Sequence, residues 1–151
     1  MMDEARKVGV RLAVEPLHPM YAAERSVINT VGQALHLCRQ LDPKNESLGI
    51  AVDVYHCWWD PQLAESVSAA GTEARIVAYH VSDWLTSATD MPLDRGMMGD
   101  GVIDLKETRR LIETAGYNGM TEVEIFSKDG WWKAPPDEVL KCCADRLQGV
   151  C

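Results

Sequence analysis

The sequence predicts an α/β protein built on a parallel sheet with helical crossovers. Short apolar segments with the character of strands alternate with capped helical segments four times along the 151 residues. The strand segments are nearly continuous apolar runs, which is typical of parallel strands buried on both faces. This pattern leaves open whether the sheet is open or closed into a barrel.

The first strand–helix unit follows a short helical segment. The chain begins with what reads as the end of a helix, terminated by Gly9. The first strand is predicted over 10–15. Its helix begins at Thr30, where Gln33 three residues later completes a capping-box spacing, and Pro43 ends it.

The other three units repeat this order. Their strands are predicted over 48–54, 75–81 and 121–126. The helices after them begin at Asp60-Pro61, at Asp104 with Glu107 closing a capping box, and at about Pro136. A loop over 82–101 separates the third strand from its helix, and a loop of that length is usually functional or disordered.

Composition excludes several classes of protein. The 15 basic and 23 acidic residues give a net charge of −8, which disfavours nucleic acid as a partner. No apolar run reaches the ~18 residues of a membrane span, and the charged N-terminus is unlike a signal peptide. The five cysteines form no C-x-x-C pair, so we expect a cytoplasmic protein without disulfides. Neither G-x-G-x-x-G nor G-x-S-x-G is present, which disfavours a dinucleotide-binding domain and a serine hydrolase.

Each predicted strand ends in a possible metal ligand. These residues are Glu15, Asp53, His80 and Glu124. The carboxyl ends of parallel strands meet at one edge of a sheet, so we expect the four side chains to converge. Three carboxylates and one imidazole favour one divalent ion such as Mn²⁺, Mg²⁺ or Co²⁺, with Zn²⁺ possible. Glu122 faces the same side as Glu124 but deeper, where a structural ion pair or hydrogen bond is expected.

Other candidates follow the same strands. His56 lies on the loop three residues after Asp53, within reach of a substrate, and Arg95 in the long loop could bind hydroxyl groups or a phosphate. The pairs Trp58-Trp59 and Trp131-Trp132 suit either the faces of sugars or subunit packing. His18 and His36 receive no role.

The motifs together resemble the xylose isomerase-like TIM-barrel superfamily, and within it the sugar phosphate isomerases and epimerases, including ketose 3-epimerases. The resemblance rests on Val14-Glu15-Pro16-Leu17, Asp53-Val54-Tyr55-His56, Tyr79-His80-Val81-Ser82-Asp83, the Arg95 loop running into Gly99-Asp100-Gly101, and Glu122-Val123-Glu124-Ile125-Phe126. Their order along nearly the whole chain is more specific than any one of them.

The resemblance implies both a fold and a site. The fold is an eight-stranded β/α barrel whose metal ligands would here be Glu15, Asp53, His80 and Glu124. Glu15 and Glu124 would also carry the substrate proton, one on each face of the reacting carbon. His56 and Arg95 would bind the substrate, and Asp83 would orient the site from behind the ligands.

The length departs from this family. A full barrel takes about 250 residues, so residues 1–151 are expected to form a single domain equivalent to the C-terminal half of a barrel, with about four βα units. Such a half barrel exposes two edge strands and an apolar inner face, so we expect a homodimer or pairing with another chain.

The function expected from the resemblance is a divalent-metal-dependent isomerase or epimerase of a sugar or sugar phosphate, acting by proton abstraction next to a carbonyl through an enediolate. The alternatives are an inosose-type dehydratase of the same superfamily and a catalytically inactive, metal-binding half barrel. The apurinic endonucleases of this superfamily are disfavoured, because Asp94-Arg95-Gly96 has glycine where their motif has histidine.

Overall fold

A four-stranded parallel sheet organises the molecule. The computed structural model describes all residues, 1–151. The strands, in their order across the sheet, are β1 Leu12–Val14, β2 Leu48–Asp53, β3 Ile76–Val81 and β4 Thr121–Val123. The helices are α1 Met2–Val8, α2 Val31–Leu41, α3 Val54–Cys57, α4 Leu63–Thr72, α5 Leu105–Thr114 and α6 Pro136–Gly149. Two 3₁₀ helices span Pro19–Tyr21 and Trp131–Lys133.

Three predicted helix ends are confirmed by their capping residues. The start predicted at Asp60-Pro61 is wrong, because α4 begins at Leu63 and Asp60 Oδ1 accepts the N–H of Gln62 in the turn before it. Gly9 ends α1 in the left-handed conformation, with φ 69°. Thr30 and Gln33 form the reciprocal capping box of α2. The side chain of Asp104 accepts the N–H of Glu107 at the start of α5. These short-range signals are readable because they depend on residues within one helical turn.

The two outer strands are shorter than the sequence predicts. β1 and β4 have three residues each, where six were expected over 10–15 and 121–126. Each pairs with a neighbour on one side only, so half of its backbone groups lack a ladder partner. Glu15 and Glu124 consequently lie just beyond the ends of their strands.

The strand order favours a barrel over a doubly wound sheet. The strands follow one another in sequence across the sheet, and all are parallel. A doubly wound sheet reverses its strand order at a switch point, whereas a TIM barrel does not. The helices α2, α4 and α5 contact one another in turn, and one core of 19 buried residues lies between them and the sheet. The predicted half barrel is therefore confirmed.

The opposite face of the sheet is uncovered. Ala13 of β1 and Glu122 of β4 are exposed, and Ala78 of β3 is only partly buried. The expectation that Glu122 makes a buried ion pair or hydrogen bond is wrong, because no strands face it across the barrel interior. No helix is both long enough and apolar enough to cross a membrane.

Candidate metal centre

The four polar residues that end the strands lie together. Glu15 follows β1, Asp53 is the last residue of β2, His80 is the penultimate residue of β3, and Glu124 follows β4. One ligand atom from each lies within 4.8 Å of the ligand atoms of the other three. The parallel register explains this convergence, since Asp53 pairs with His80 across neighbouring strands.

The side chains fit one divalent ion. The Nδ1 atom of His80 is buried and has no hydrogen-bond partner. Its nearest acidic neighbours are Glu15 Oε1 at 3.6 Å and Glu124 Oε2 at 3.9 Å. Glu15 foremost, and the other carboxylates with it, raise the pKa of the His80 imidazole although burial opposes the rise. An unpaired ring nitrogen among carboxylates is a donor set that suits a divalent cation.

Asp53 is the most deeply buried ligand. Its Oδ1 accepts the N–H of Tyr55 at 2.9 Å, and this hydrogen bond caps the start of the short helix α3. The sequence did not predict this helix. The Oδ2 atom of Asp53 accepts a hydrogen bond from Arg95 Nη1, also at 2.9 Å. Burial, together with the neighbouring Glu124, raises the pKa of this carboxyl, and Arg95 opposes the rise. These hydrogen bonds fix the orientation of the carboxylate.

His56 is buried in the short helix α3, whereas the sequence predicted a position on a loop within reach of a substrate. Its Nδ1 accepts the backbone N–H of His18 at 3.2 Å. Its Nε2 lies 3.2 Å from Arg95 Nη2 and 3.6 Å from Asp53 Oδ2. A guanidinium only donates, so both ring nitrogens face N–H groups, and a neutral imidazole accepts at only one of them. Burial, and then Arg95, lower the pKa of His56 to about 3. The ring is therefore neutral at physiological pH.

Arg95 lies against the metal ligands. Its Nη1 is 2.9 Å from Asp53 Oδ2 and 3.0 Å from Glu124 Oε2. Its side chain is 4% exposed. The rings of Tyr55 and Phe126 lie 4.4 and 4.8 Å from the guanidinium carbon. Arg95 was predicted to contact substrate, and the structure shows that its first partners are the carboxylates themselves.

Asp83 supports a loop and touches none of the four ligands. Its carboxylate accepts backbone N–H groups of Trp84, Gly99 and Ile103 at 2.8–3.0 Å. The prediction that Asp83 orients the site from behind the ligands stays a prediction, since its side-chain hydrogen bonds all go to the loop. These bonds instead fold the long loop back on itself and set the position of Trp84.

An aromatic wall, formed by His18, Tyr55, Trp58, Trp59 and Trp84, borders the centre. The Trp84 ring centroid lies 4.8 Å from those of both His18 and Tyr55, and 5.7 Å from that of Trp58. His18 was expected to have no role, and Trp84 was not among the residues predicted from the sequence. Both could have been found from the sequence, because each lies two to four residues beyond the end of a strand that provides a candidate ligand. Trp132, from the other predicted pair, is 54% exposed and packs on Phe126 instead.

Comparisons with known proteins agree with this fold. The family described as xylose isomerase-like TIM barrel matches residues 1–145. An inosose isomerase from Bacillus velezensis is 26% identical over 157 residues, covering 99% of this chain and 51% of that protein. The chain thus spans about half the length of the curated relatives it matches.

Two solved structures extend the similarity. A crystal structure of a protein from Sinorhizobium meliloti 1021 is 56% identical, with a TM-score of 0.95, over 99% of this chain and 54% of that one. The IolI protein, solved with a zinc atom, is 24% identical with a TM-score of 0.77, over 98% of this chain and 51% of that one. The second likeness shows the fold alone.

Proposed function

Because the chain belongs to the xylose isomerase-like TIM barrel family, we propose that it carries the metal and proton-transfer centre of a divalent-metal-dependent isomerase or epimerase of sugars. The observation that carries the proposal is the gathering of three carboxylates and one unpaired imidazole at the carboxyl edge of the sheet.

The ion would be held by Glu15, Asp53, His80 and Glu124. An oxygen-rich set with one nitrogen suits Mn²⁺, Mg²⁺, Co²⁺ or Zn²⁺, and the zinc atom of the IolI structure supports a divalent ion in this fold. A bound ion supplies polarisation of the substrate carbonyl, which acidifies the neighbouring C–H.

Glu15 and Glu124 would move the proton. Their side chains are 35% and 36% exposed, whereas that of Asp53 is fully buried. They extend from β1 and β4, the two outermost strands, and so approach the cluster from opposite sides. One carboxylate would remove the proton next to the carbonyl, and the other would return a proton to the opposite face or to the neighbouring carbon.

His56 would steady the developing negative charge. Its neutral ring lies beside Asp53 and Arg95, with Nε2 3.6 Å from Asp53 Oδ2 and 3.2 Å from Arg95 Nη2. With the ring proton on Nε2, the imidazole would favour the enediolate over the ketone, because negative charge grows on the oxygen as the proton leaves.

We propose a cyclic polyol ketone of the inosose class as substrate. The inosose isomerase relative supports this class, and the aromatic wall offers an apolar surface for the C–H face of such a ring. A dehydratase acting on the same substrate would share the proton abstraction and then lose hydroxide.

The test is exchange of the substrate proton with solvent. In D₂O with Mn²⁺, the chain should incorporate deuterium next to the carbonyl of an inosose, and Glu124→Gln should lower the rate by ~100-fold or more. Glu122→Gln is the matched control, because Glu122 lies two residues earlier, is exposed and is not one of the four clustered residues. NMR identifies the product as an isomer, an epimer or a dehydrated compound. Metal binding without exchange would indicate the inactive half barrel and contradict the proposal.

We also propose that a second copy of this chain covers the exposed inner face. The sheet has four parallel strands in barrel order with an open edge at β1 and another at β4. A two-fold axis would place each β1 edge beside the partner's β4 edge and complete the eight strands of a barrel. The inner positions Ala13 and Ala78 are small enough for close approach of a second sheet.

Sedimentation tests this association. We expect a species of twice 16.8 kDa at micromolar concentration. Ala13→Arg should yield a monomer without loss of fold, because Ala13 is exposed in the single chain and would be covered only by the partner. A monomer at all concentrations would contradict the proposal.

A further inference from the structure

The position of Arg95 has a consequence for the metal centre itself. Arg95 Nη1 bridges Asp53 and Glu124, the ligands from the second and fourth strands, at 2.9 and 3.0 Å. Its backbone N–H is also fixed, by the carbonyl of Phe126 at 2.9 Å. Arg95 is thus fixed at its backbone N–H and at its guanidinium, which lies against two of the four ligands.

The charges of the cluster favour a cation there before any metal ion binds. Glu15, Asp53 and Glu124 bring three carboxylates to within 4.8 Å of one another. Like charges at that distance, with Asp53 fully buried, repel one another unless a cation lies between them. A guanidinium stays charged at any physiological pH. Arg95 therefore leaves a net charge of −2 when the imidazole is neutral, which matches one divalent ion.

We propose that Arg95 is a resident cation of the metal centre, which holds Asp53 and Glu124 in place before an ion binds and lowers the affinity of the centre for that ion. The inference rests on the proposed metal centre. Its physical basis is that the ion and the guanidinium attract the same carboxylates and repel each other.

Removal of the charge provides the test. Arg95→Met keeps a long apolar side chain between Tyr55 and Phe126 but removes the cation. Titration calorimetry with Mn²⁺ should show roughly ten- to a hundredfold tighter binding than in the wild type. Arg95→Lys keeps the charge, so its affinity should stay close to that of the wild type. Arg110→Met, which alters an exposed arginine paired with Glu107, is the matched control and should change nothing.

The results separate this inference from the proposed function. Equal or weaker Mn²⁺ binding by Arg95→Met, with a native circular dichroism spectrum, would overturn the role of Arg95 and leave the metal centre standing. No Mn²⁺ binding by the wild type would overturn both.

If Arg95→Met does not fold, an NMR measurement on the wild type tests the inference instead. Its Arg95 side-chain ¹⁵N signal should shift on addition of diamagnetic Zn²⁺ and saturate at one ion per chain. An unchanged signal at saturation would overturn the inference.

Discussion

Asp42 fixes the turn that leads α2 into β2 and therefore the start of the strand that ends at Asp53. Its carboxylate is buried, and its Oδ2 accepts the backbone N–H groups of Ser47 and Leu48 at 2.7 and 2.8 Å. Its Oδ1 lies 3.5 Å from Arg6. Asp42→Ala would leave two buried backbone donors without a partner.

The expected loss of stability follows from the hydrogen bonds that Asp42 accepts from Ser47 and Leu48. A hydrogen bond to a charged acceptor contributes ~1.5–3 kcal/mol, so Asp42→Ala should lower the free energy of unfolding by ~3–5 kcal/mol. In a domain of this size each kcal/mol shifts Tm by ~2–4 °C. Asp42→Asn retains a neutral oxygen acceptor and should cost about half as much.

The loss of unfolding free energy caused by Asp42→Asn should depend on pH. Burial acts to raise the pKa of Asp42, but the N–H groups of Ser47 and Leu48, with Arg6, outweigh it and hold the pKa well below its usual 3.8. A carboxyl whose pKa is lower in the folded state stabilises the protein above the unfolded pKa, and this stabilisation is lost as the pH falls through the folded value. The stability difference between wild type and Asp42→Asn should therefore be full at pH 7 and shrink below ~pH 4.

Urea unfolding followed by circular dichroism at pH 7 and at pH 3 measures both effects. Asp104→Ala is the control, since it removes an exposed helix cap and should cost ~1 kcal/mol. A difference between wild type and Asp42→Asn that is equal at the two pH values, or an Asp42→Ala cost below ~1 kcal/mol, would refute the reasoning.

The remaining predictions concern packing, capping and substrate binding. Gly71→Ala should destabilise the chain by ~1–3 kcal/mol in urea, because the added Cβ would overlap Ala115 where α4 and α5 meet; an unchanged midpoint would contradict that packing. Thr30→Ala should cost ~1 kcal/mol through loss of the capping box, and retention of α2 stability would argue against it. Trp84→Ala should raise KM for an inosose more than it lowers kcat, since it removes the centre of the aromatic wall; steady-state kinetics with an unchanged KM would contradict this.

The fold could be predicted from the sequence because its signals are local. The alternation of strands with helices, and capping residues such as Thr30, depend on neighbours within a turn or two. The positions of the candidate ligands follow because parallel strands end at one edge of the sheet. The same logic failed at the sheet edges. β1 and β4 became short because each has a partner on only one side, which no pattern within 10–15 or 121–126 could reveal.

Contacts made by loops were the least predictable. Arg95 lies 42 residues from Asp53, and His18 lies 38 residues from His56, yet each pair is in direct contact. Spacing in the sequence cannot encode such contacts, because they depend on how two loops fold over the same edge of the sheet. Arg95 could be identified as a site residue, but its partners could not.

The measurement that tests the central claim most directly is the number of divalent ions bound per chain. Calorimetry with Mn²⁺, checked by elemental analysis of the dialysed protein, should give one ion per chain in the wild type and in Glu122→Gln. His80→Ala should bind at least ~10-fold more weakly, because it removes the one nitrogen ligand. Absence of binding in the wild type, or undiminished binding in His80→Ala, would contradict the claim that Glu15, Asp53, His80 and Glu124 hold a single ion.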